Sequence, residues 1–515
     1  MAEYLQELTY KPGINRDNTT FQSDYCNDGQ WIRFNQGRIK KIGGVKSPKA
    51  LEPNEQVTSL YTESATKDNH QRVYICGEKI IRVVLPDDFN TVFSEATFNI
   101  ANLPENLLWQ TLSIVDDSQR KLLLVATNNS KDISQDTKCK IFTTLLSDDS
   151  ALITELSPID INNNISGGAF YFQPFLFLYG ENGLIQYSVA GNPLDFSKKD
   201  NTFNLPGSEK VIYCNSIRGG SNTFSLLFWT LSKVIRVSNV SENVDTPDFQ
   251  INVVSNNSSI LSSRSVVEFD GLYFWAGTDK FYVYNGVVQD VANDLNINYF
   301  FDNIDMNNKQ KVFATIDHRY NEIWWFYPEK GQDENNVQNT RALIYNKKEN
   351  TWYDTEIRRE AGIYSPTLGT FLAYGEPFSN IDKFLWKHEV GFDEEVVNGD
   401  LFESIVSSFT TPVLSVTISD QKDSNKGVDR FLEIRRIEPD FRMRSAELKD
   451  QAAVSINTRR YAQSIKDVSD EIFFVKDTEK IDVWAQGRLL SLTFTFGNEF
   501  EVGTVLLTLS IGDGN

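Results

Sequence analysis

The chain has 515 residues, which is enough for two or three domains and a large core. Its 50 Lys and Arg residues against 70 Asp and Glu residues give a net charge of −20, which excludes a protein that wraps nucleic acid by neutralising phosphates. The 35 Phe, 20 Tyr and 9 Trp residues, beside only 3 Met, favour packed β-structure over helical bundles.

The four cysteines are scattered without a C-x-x-C pair, so they predict reduced thiols rather than a metal knuckle or a disulfide framework. The first residues have neither a basic nor an apolar signal region, and no apolar run approaches the roughly 18 residues that cross a bilayer. We therefore expect no signal peptide, no membrane-spanning segment, and assembly in a cytoplasm.

The N-terminal region, residues 1–50, is predicted to be an irregular arm followed by a tight hairpin over 30–44. Between residues 29 and 51 there are six bases and no acid, a local reversal in an acidic chain. One interpretation is a solvated hairpin face. The other is a docking surface for an acidic neighbour, possibly a second copy of this chain, with these candidate interface residues: Arg33, Arg38, Lys40 and Lys41.

Strand–turn–strand units recur through the middle of the chain. Their first strands begin near residues 73, 122, 175, 226, 272, 322 and 371, in steps of 46 to 53 residues. Blades of β-propellers run about 40–50 residues with four strands each. The spacing predicts an all-β fold with a β-propeller over 51–395, against the alternative of an irregular all-β domain. The choice between six and seven blades stays open, because a terminal hairpin can belong elsewhere.

The unit at 322–354 shows the repeat most clearly. An aromatic strand ends at Pro328, a long polar loop follows, and a second apolar strand leads through a turn to Trp352. We expect Trp324, Trp325 and Trp352 to be buried anchors between strands or blades.

A composition change at 391–400, with four acids in ten residues, marks a boundary. The strands predicted beyond it no longer follow the repeat, and 491–496 alternates polar and apolar residues. We therefore predict a C-terminal antiparallel β-sandwich-like domain over 396–515, which would act as a platform.

Catalytic and metal-binding signals are weak. The chain has only His70, His318 and His388, and it lacks the common hydrolase and phosphate-loop motifs. Residues 423–427 faintly suggest a calcium loop, but Ile434 stands where the twelfth-position glutamate should be. We expect no enzyme, catalytic residue, cofactor or metal. Carboxylates near a central channel, as in propeller glycosidases, stay open.

Three stretches together resemble a known family. Residues 31–44, WIRFNQGRIKKIGG, are similar to the opening W-x-R-F-x-x-G-x-x-x-K-I-G-G hairpin of packaged-DNA stabilisation proteins, the tail nozzles (tail tubular protein B-like) of short-tailed bacteriophages, or podoviruses. Residues 320–328, YNEIWWFYP, resemble their central blade, and 486–509 resemble their closing strands, with Phe500 where Trp is usual.

The resemblance implies a virion protein forming a homohexameric ring at the distal end of the tail. Its partners would be the tail adaptor or tube protein above, fibres or spikes, and a plug or needle. Double-stranded DNA would be retained before ejection and then pass through the ring without specific binding. The polar loops at 329–340 and 128–136 would be candidate tips facing the ring axis or the plug.

Two other functions compete with a nozzle. One is a receptor-binding or fibre-adaptor tail protein, and the other is a polysaccharide-degrading propeller enzyme. Six copies around the tail axis favour the nozzle, trimers on appendages favour receptor binding, and capsule degradation by the pure protein favours the enzyme.

Overall fold

The structure is a computed structural model. It describes residues 3–19, 24–48, 56–64, 70–100, 107–116, 118–128, 139–146, 153–156, 161–217, 224–241, 243, 247–333, 337–378, 382–397, 401–415, 431–443, 452–461 and 463–512. Within these residues it is almost entirely β-structure, with an α-helix at Ile297–Asn303 and 3-10 turns at Glu181–Gly183 and Met306–Lys311. The residues of the faint calcium loop, 423–427, lie outside this range.

Seven antiparallel sheets, each built on four strands, follow one another around a ring. Blade 1 has the strands Ser59–Ser64, His70–Cys76, Lys79–Pro86 and Ser94–Asn99; blade 2 has Leu107–Asp116, Gln119–Asn128, Lys140–Leu145 and Thr154–Leu156; blade 3 has Gly168–Phe172, Phe175–Tyr179, Leu184–Tyr187 and Thr202–Asn204; blade 4 has Val211–Ser216, Ser225–Thr230, Val234–Asn239 and Phe249–Ser255. Blade 5 has Val267–Phe269, Leu272–Ala276, Phe281–Tyr284 and Val288–Val291; blade 6 has Phe313–Asp317, Glu322–Tyr327, Arg341–Asn346 and Thr351–Glu356; blade 7 has Ala361–Ser365, Thr370–Gly375, Phe384–His388 and, from the N-terminal region, Val45–Ser47.

The prediction of an all-β propeller is confirmed, and the number of blades is seven. Each repeat found in the sequence is the pair formed by the second and third strands of one blade. These strands are apolar on both faces because each lies between two neighbours in its own sheet and two adjacent blades. First strands contact each other between blades 1 and 2, 2 and 3, 3 and 4, 5 and 6, 6 and 7, and 7 and 1. Blades 4 and 5 are joined by a shared hydrophobic cluster, so the ring is closed.

The ring is closed by a strand from the other end of the chain. Val45–Ser47 pairs antiparallel with Phe384–His388, with Lys46 opposite Lys387. Two further strands, Asp393–Val396 and Leu401–Ser404, extend this sheet outward. Glycine is required at the entry to this strand, since a Cβ on Gly44 would lie 2.4 Å from the carbonyl oxygen of Asp393. The Gly-Gly pair at 43–44 therefore marks a close backbone crossing.

Neighbouring blades are joined by separate hydrophobic clusters. Blades 1 and 2, 2 and 3, 3 and 4, 4 and 5, 5 and 6, and 7 and 1 each share one. The remaining pair, blades 6 and 7, belongs to a larger core that continues into the N- and C-terminal strands. All four cysteines lie buried as free thiols.

Three more sheets combine the two ends of the chain. Sheet I has Glu3–Glu7, Leu506–Ile511, Leu432–Glu438 and Ile481–Gly487; sheet II has Asp28–Gln30, Ser407–Thr410, Leu489–Phe496 and Ala452–Arg459, which is edged by Asp467–Val468 and Ile472–Phe474; sheet III has Phe441–Met443, Phe500–Val502, Arg38–Lys41 and Ile32–Asn35. Lys11–Ile14 and Tyr25–Cys26 form a small parallel pair.

The N-terminal region is therefore not a separate arm. Its strands lie inside sheets I, II and III and in blade 7, and one core links Trp31 and Phe34 to Trp324 of blade 6 and Leu492 of sheet II. The arrangement of sheets I to III as a sandwich, and the domain boundaries at 50 and 395, stay predictions.

Candidate functional site

The three stretches that carry the family resemblance are far apart in the sequence and adjacent in the structure. The hairpin at 32–41 forms sheet III with Phe500–Val502, where Lys40 lies opposite Glu501. Its other side lies against the turns of blade 6: Asn346 Nδ2 donates to the carbonyl of Phe34 at 3.3 Å. We call this region, formed by residues 31–44, 317–322, 389–392 and 500–502, the junction.

Arg33 is the centre of the junction. Its guanidinium is buried and lies 3.0 Å from a Glu322 oxygen through Nε, while its two terminal nitrogens donate to both oxygens of Glu389 at 2.9 and 2.6 Å. The same group stacks over the ring of Tyr320 at 3.5 Å. Two carboxylates and one aromatic face thus fix a single buried cation, the arrangement for which arginine is best suited.

Glu322 is the other half of this network. Strand alternation places its side chain on the same face as Trp324, whose Nε1 donates to it at 3.0 Å. Tyr353 of the fourth strand donates its hydroxyl at 2.5 Å, and Arg33 completes the set. A fully buried carboxylate is tolerated here because each oxygen has donors.

Burial controls the protonation of the junction. It raises the pKa of Glu322 to about 7, with Arg33 lowering it and Asp317 and Glu389 raising it. Burial, together with the charge of Glu389, also raises the pKa of Asp317. Burial disfavours the charged form of Arg33, but Glu322 and Glu389 outweigh it and hold the pKa well above its usual range. The junction therefore holds a permanent cation beside two acids, Asp317 and Glu322, whose pKa values are raised towards neutral pH.

Lys41 is also buried and bonded within the chain. Its Nζ donates to the carbonyls of Ile405 at 2.5 Å and Gly497 at 2.7 Å. Burial lowers the pKa of this amine to about 8. Lys41 ties the hairpin to the turn after blade 7 and to the end of sheet II.

Arg38 and Lys40 lie at the surface and share one acid. Glu501 is 2.9 Å from Arg38 and 3.3 Å from Lys40, and Arg442 stands opposite it on the next strand. Hydrogen bonding from Arg38 holds the pKa of Glu501 below its usual range.

The prediction that Arg33 and Lys41 belong to a docking surface is wrong. Both are inside the protein, because the hairpin is covered by blade 6 on one side and by the turns at 405 and 497 on the other. Only Arg38 and Lys40 remain accessible, and their part in an interface stays a prediction.

The three tryptophans are buried in two different clusters. Trp324 faces the junction core, whereas Trp325 and Trp352 stack at 5.8 Å on the side of blade 5. Trp325 donates to the carbonyl of Ser265, and Trp352 to that of Ala292. Blade 6 thus uses the two faces of one strand to hold both neighbours.

The propeller's own central channel is small and closed at one end. The first-strand regions of all seven blades line a cavity of about 240 Å³, and none of the described residues that line it is a carboxylate or a histidine. This volume is below the roughly 300–1,000 Å³ of ordinary ligand pockets, which leaves no room for a DNA duplex.

Arg264 closes the channel. Its guanidinium is buried and donates to the carbonyls of Thr58, Lys311 and Glu360, which precede blades 1, 6 and 7. Burial lowers the pKa of this group to about 10. One side chain therefore bridges the ring from the linker between blades 4 and 5.

The loop at 329–340, predicted to be a solvated tip, is partly buried in the structure. In the loop at 329–340, Val337 is buried, and its carbonyl accepts from Lys311 Nζ at 2.6 Å. The second half of this loop is therefore packed beside the closed mouth of the channel and is not a solvated tip. Almost all of the loop at 128–136 lies outside the described residues.

Glu322 and Glu389 are the junction residues that sequence reasoning missed. Glu322 had a usable signal, because a lone carboxylate inside an aromatic strand requires a buried partner. Glu389 had none, since it lies in an ordinary turn with φ of 61°.

Other chemical features are sparse in the described part of the chain. No group of three or more His, Cys, Asp or Glu side chains there is arranged to hold a metal ion. His318 stacks on Phe269, and His388 is buried on Phe371. Among the same residues, no helix is long and apolar enough to cross a membrane.

The fold defines a seven-bladed β-propeller protein. Strands from the N- and C-terminal regions of the chain pair with each other in three further sheets. No family model matches the chain, and no curated protein matches it. Among solved structures, it is similar over 68% of its length to Chaetomium thermophilum Raptor, with 11% identity and a TM-score of 0.42, and it spans 29% of that chain.

The same share of the chain is similar to RRP9 WD40 repeats, at 6% identity and a TM-score of 0.37, covering 99% of that chain. It is also similar to BBS1N from a complex with ARL6DN, at 11% identity and a TM-score of 0.40, covering 96% of that chain. These TM-scores are all below 0.5, so the assignment of a propeller rests on the seven sheets of this chain.

Proposed function

We propose that this chain is a structural virion protein, the nozzle subunit at the distal end of a short phage tail. In this role it retains packaged DNA and conducts it during ejection. The observation that carries the proposal is the junction, because the three stretches that resemble the nozzle family meet there around Arg33. If the three stretches form one family-specific feature, they are expected to contact each other in the folded chain, as they do in the junction.

The closed propeller channel supports a ring of several copies. A cavity of about 240 Å³ closed by Arg264 leaves no route for DNA through one chain. The conduit then lies between copies, and six copies at −20 each carry −120. Such a charge repels phosphates and favours sliding over adhesion.

The remaining partners follow from the same proposal. The ring attaches upward to a tail adaptor or tube protein and seats fibres or spikes and a plug or needle. It assembles in the host cytoplasm and ends in the virion tail. The channel cavity, without a lining carboxylate among the described residues, gives a polysaccharide-degrading enzyme no support.

The test is the position and number of copies in the virion, by electron cryomicroscopy of tails with antibody labelling of this chain. We expect six copies around the axis at the distal end. Trimers on appendages would instead identify a receptor-binding protein, and absence from the particle would remove the proposal.

A DNA titration provides an independent check. The purified protein is expected to bind duplex DNA weakly and with little dependence on salt concentration. Tight, salt-sensitive binding, or a conduit lined with lysine and arginine, would favour a protein that grips DNA.

A further inference from the structure

An open cleft lies beside the junction, between blade 6 and sheet III. Its volume is about 740 Å³. Of its lining residues, five are basic and three acidic, which reverses the charge of the chain as a whole. Arg319 stands on the blade 6 side and Arg442 on the sheet III side, and both are exposed.

Two of the three acids that line this cleft are already bonded to bases, and the third is Glu499. Glu389 is taken up by buried Arg33, and Glu501 is shared by Arg38 and Lys40. Among the described residues, neither Arg319 nor Arg442 has an ion pair, and Arg319 only lies over the ring of Tyr320. These two guanidinium groups face the cleft outside any ion pair of the described residues, although Glu501 lies opposite Arg442 on the neighbouring strand.

The walls between these charges are apolar. The rings of Tyr320 and Phe392 are half-buried, and Met443 and Phe500 form the floor. A partner that suits the cleft carries acids next to apolar side chains.

Such a surface exists elsewhere on the same chain. The outer edge of sheet II, residues 465–473, exposes Ile465, Val468 and Phe473 at 89%, 57% and 60%. Between and beside them stand three exposed acids, Asp467, Asp470 and Glu471, against one exposed base, Lys466. We call this stretch the acidic edge; none of its residues lines the cleft of its own copy.

We infer that the acidic edge of one copy docks in the junction cleft of the next copy. The acids meet Arg319 and Arg442, and the exposed apolar side chains cover Tyr320 and Phe392. Because the two surfaces differ, the contact is heterologous, and repeating it generates a closed ring or a filament but not a two-fold dimer. This inference rests on the proposed ring and assigns the surfaces that form it.

Charge reversal tests the pairing. Arg319→Glu with Arg442→Glu makes one variant, and Asp470→Lys with Glu471→Lys makes the other. Sedimentation velocity over a concentration series should show self-association of the unchanged chain that weakens from about 0.05 M to about 0.5 M salt. Each variant should associate at least about tenfold more weakly, and the four changes in one chain should restore association.

The matched control reverses charges outside both surfaces. Arg236 of blade 4 and Glu78 of blade 1 are exposed, and neither forms an ion pair with another residue in the described part of the chain. Arg236→Glu with Glu78→Lys should associate like the unchanged chain. Circular dichroism confirms that every variant is folded. A monomeric unchanged chain, or reversed variants that associate normally, would overturn the inference.

Cysteine cross-linking fixes the geometry. The four native cysteines are buried, so a maleimide cross-linker reacts with introduced thiols. Arg319→Cys with Asp470→Cys should give a ladder of cross-linked chains, whereas Arg236→Cys with Asp470→Cys should give none. Equal ladders from both pairs, or none from the first, would contradict the docking.

The two proposals can fail separately. Six copies on the tail with normal assembly of the reversed variants would leave the nozzle and remove this interface. If the protein self-associates through these two surfaces but is absent from virions, the interface stands and the nozzle proposal is removed.

Discussion

The contact between blades 3 and 4 and the contact between blade 6 and the hairpin are built from different chemistry. Blades 3 and 4 meet through rings, such as Phe177 and Tyr187 against Phe249 at 6.0 and 5.3 Å. Blade 6 meets the hairpin through rings as well, Phe34 against Tyr353 at 5.5 Å, but adds a buried cation between two carboxylates. At the first contact, an aromatic side chain can be replaced by another apolar side chain of similar volume at small cost. At the second contact, removal of one charged partner leaves the others buried and unpaired. The aromatic contacts hold the propeller, and the charged contact fixes where the terminal strands attach.

The largest effect is expected from removing the cation. Arg33→Ala leaves Glu322 and Glu389 buried without compensation, which should lower the free energy of unfolding by about 3–5 kcal/mol. Denaturant unfolding measures this change. Arg38→Ala, which removes an exposed partner of Glu501, is the control and should change stability little. Equal losses in the two variants would show that burial of the junction is not what stabilises it.

The aromatic side of the comparison is tested at Trp352. Trp352→Ala opens a cavity against Phe281 and Trp325 and should cost about 3–5 kcal/mol in thermal or denaturant unfolding. Trp484→Ala, at a tryptophan that is 71% exposed, should stay within about 0.5 kcal/mol. An unchanged unfolding midpoint for Trp352→Ala would remove its role as an anchor.

The pH dependence separates the two kinds of contact further. The pKa of Glu322 is raised from 4.5 to about 7, so the folded chain holds this proton more tightly than the unfolded chain. Its contribution is complete below about pH 4.5 and is lost as the pH rises to about 7. Glu322→Gln cannot ionise, and its stability should fall less than that of the unchanged chain over this window.

Glu501 gives the opposite sign and serves as the control for that measurement. Its pKa is lowered, so its contribution is present above its ordinary pKa and is lost as the pH falls. Urea unfolding of Glu322→Gln and Glu501→Gln at a series of pH values distinguishes the two contributions. A Glu322→Gln profile parallel to that of the unchanged chain would contradict the assignment.

The smallest effect on stability is expected at the accessible end of the hairpin. Arg38→Glu with Lys40→Glu places acids against Glu501 at the surface, and Lys41 is left unchanged because it is buried. The monomer should stay folded while attachment to the tail adaptor weakens, as measured by copurification with tails. If the double variant attaches to tails normally, the hairpin has a structural role within the chain and no role in attachment.

Much of the propeller was predictable from the sequence because its signal is local. Each second and third strand, such as Phe175–Tyr179 and Leu184–Tyr187, is an apolar run around a short turn, and the seven runs are evenly spaced. The fourth strand of blade 7 was not predictable, since Val45–Ser47 is short and its partner lies more than 300 residues away.

The junction was predictable only in part. The hairpin itself was evident from its turn, where Gln36 and Gly37 both have positive φ. The fate of its charges was not, because Arg33 meets Glu322 and Glu389 across 289 and 356 residues. A basic stretch has the same composition whether its charges face solvent or are paired inside, and the distinction depends on the tertiary fold.

The strand Val45–Ser47 also determines the order in which the molecule is completed during synthesis. The N-terminal strands leave the ribosome first, and three of them, Glu3–Glu7, Asp28–Gln30 and Val45–Ser47, have no strand partner until blade 7 and the last strands follow. Glu3–Glu7 waits for Leu506–Ile511, which at 5–20 residues per second is roughly 25–100 s. During that time we expect blades 1 to 6 to form an open arc, in which the apolar faces of blades 1 and 6 that pack on blade 7 stay uncovered. Closure then joins both ends of the chain in one late step, so the protein is expected to fold slowly and to benefit from chaperones until synthesis ends.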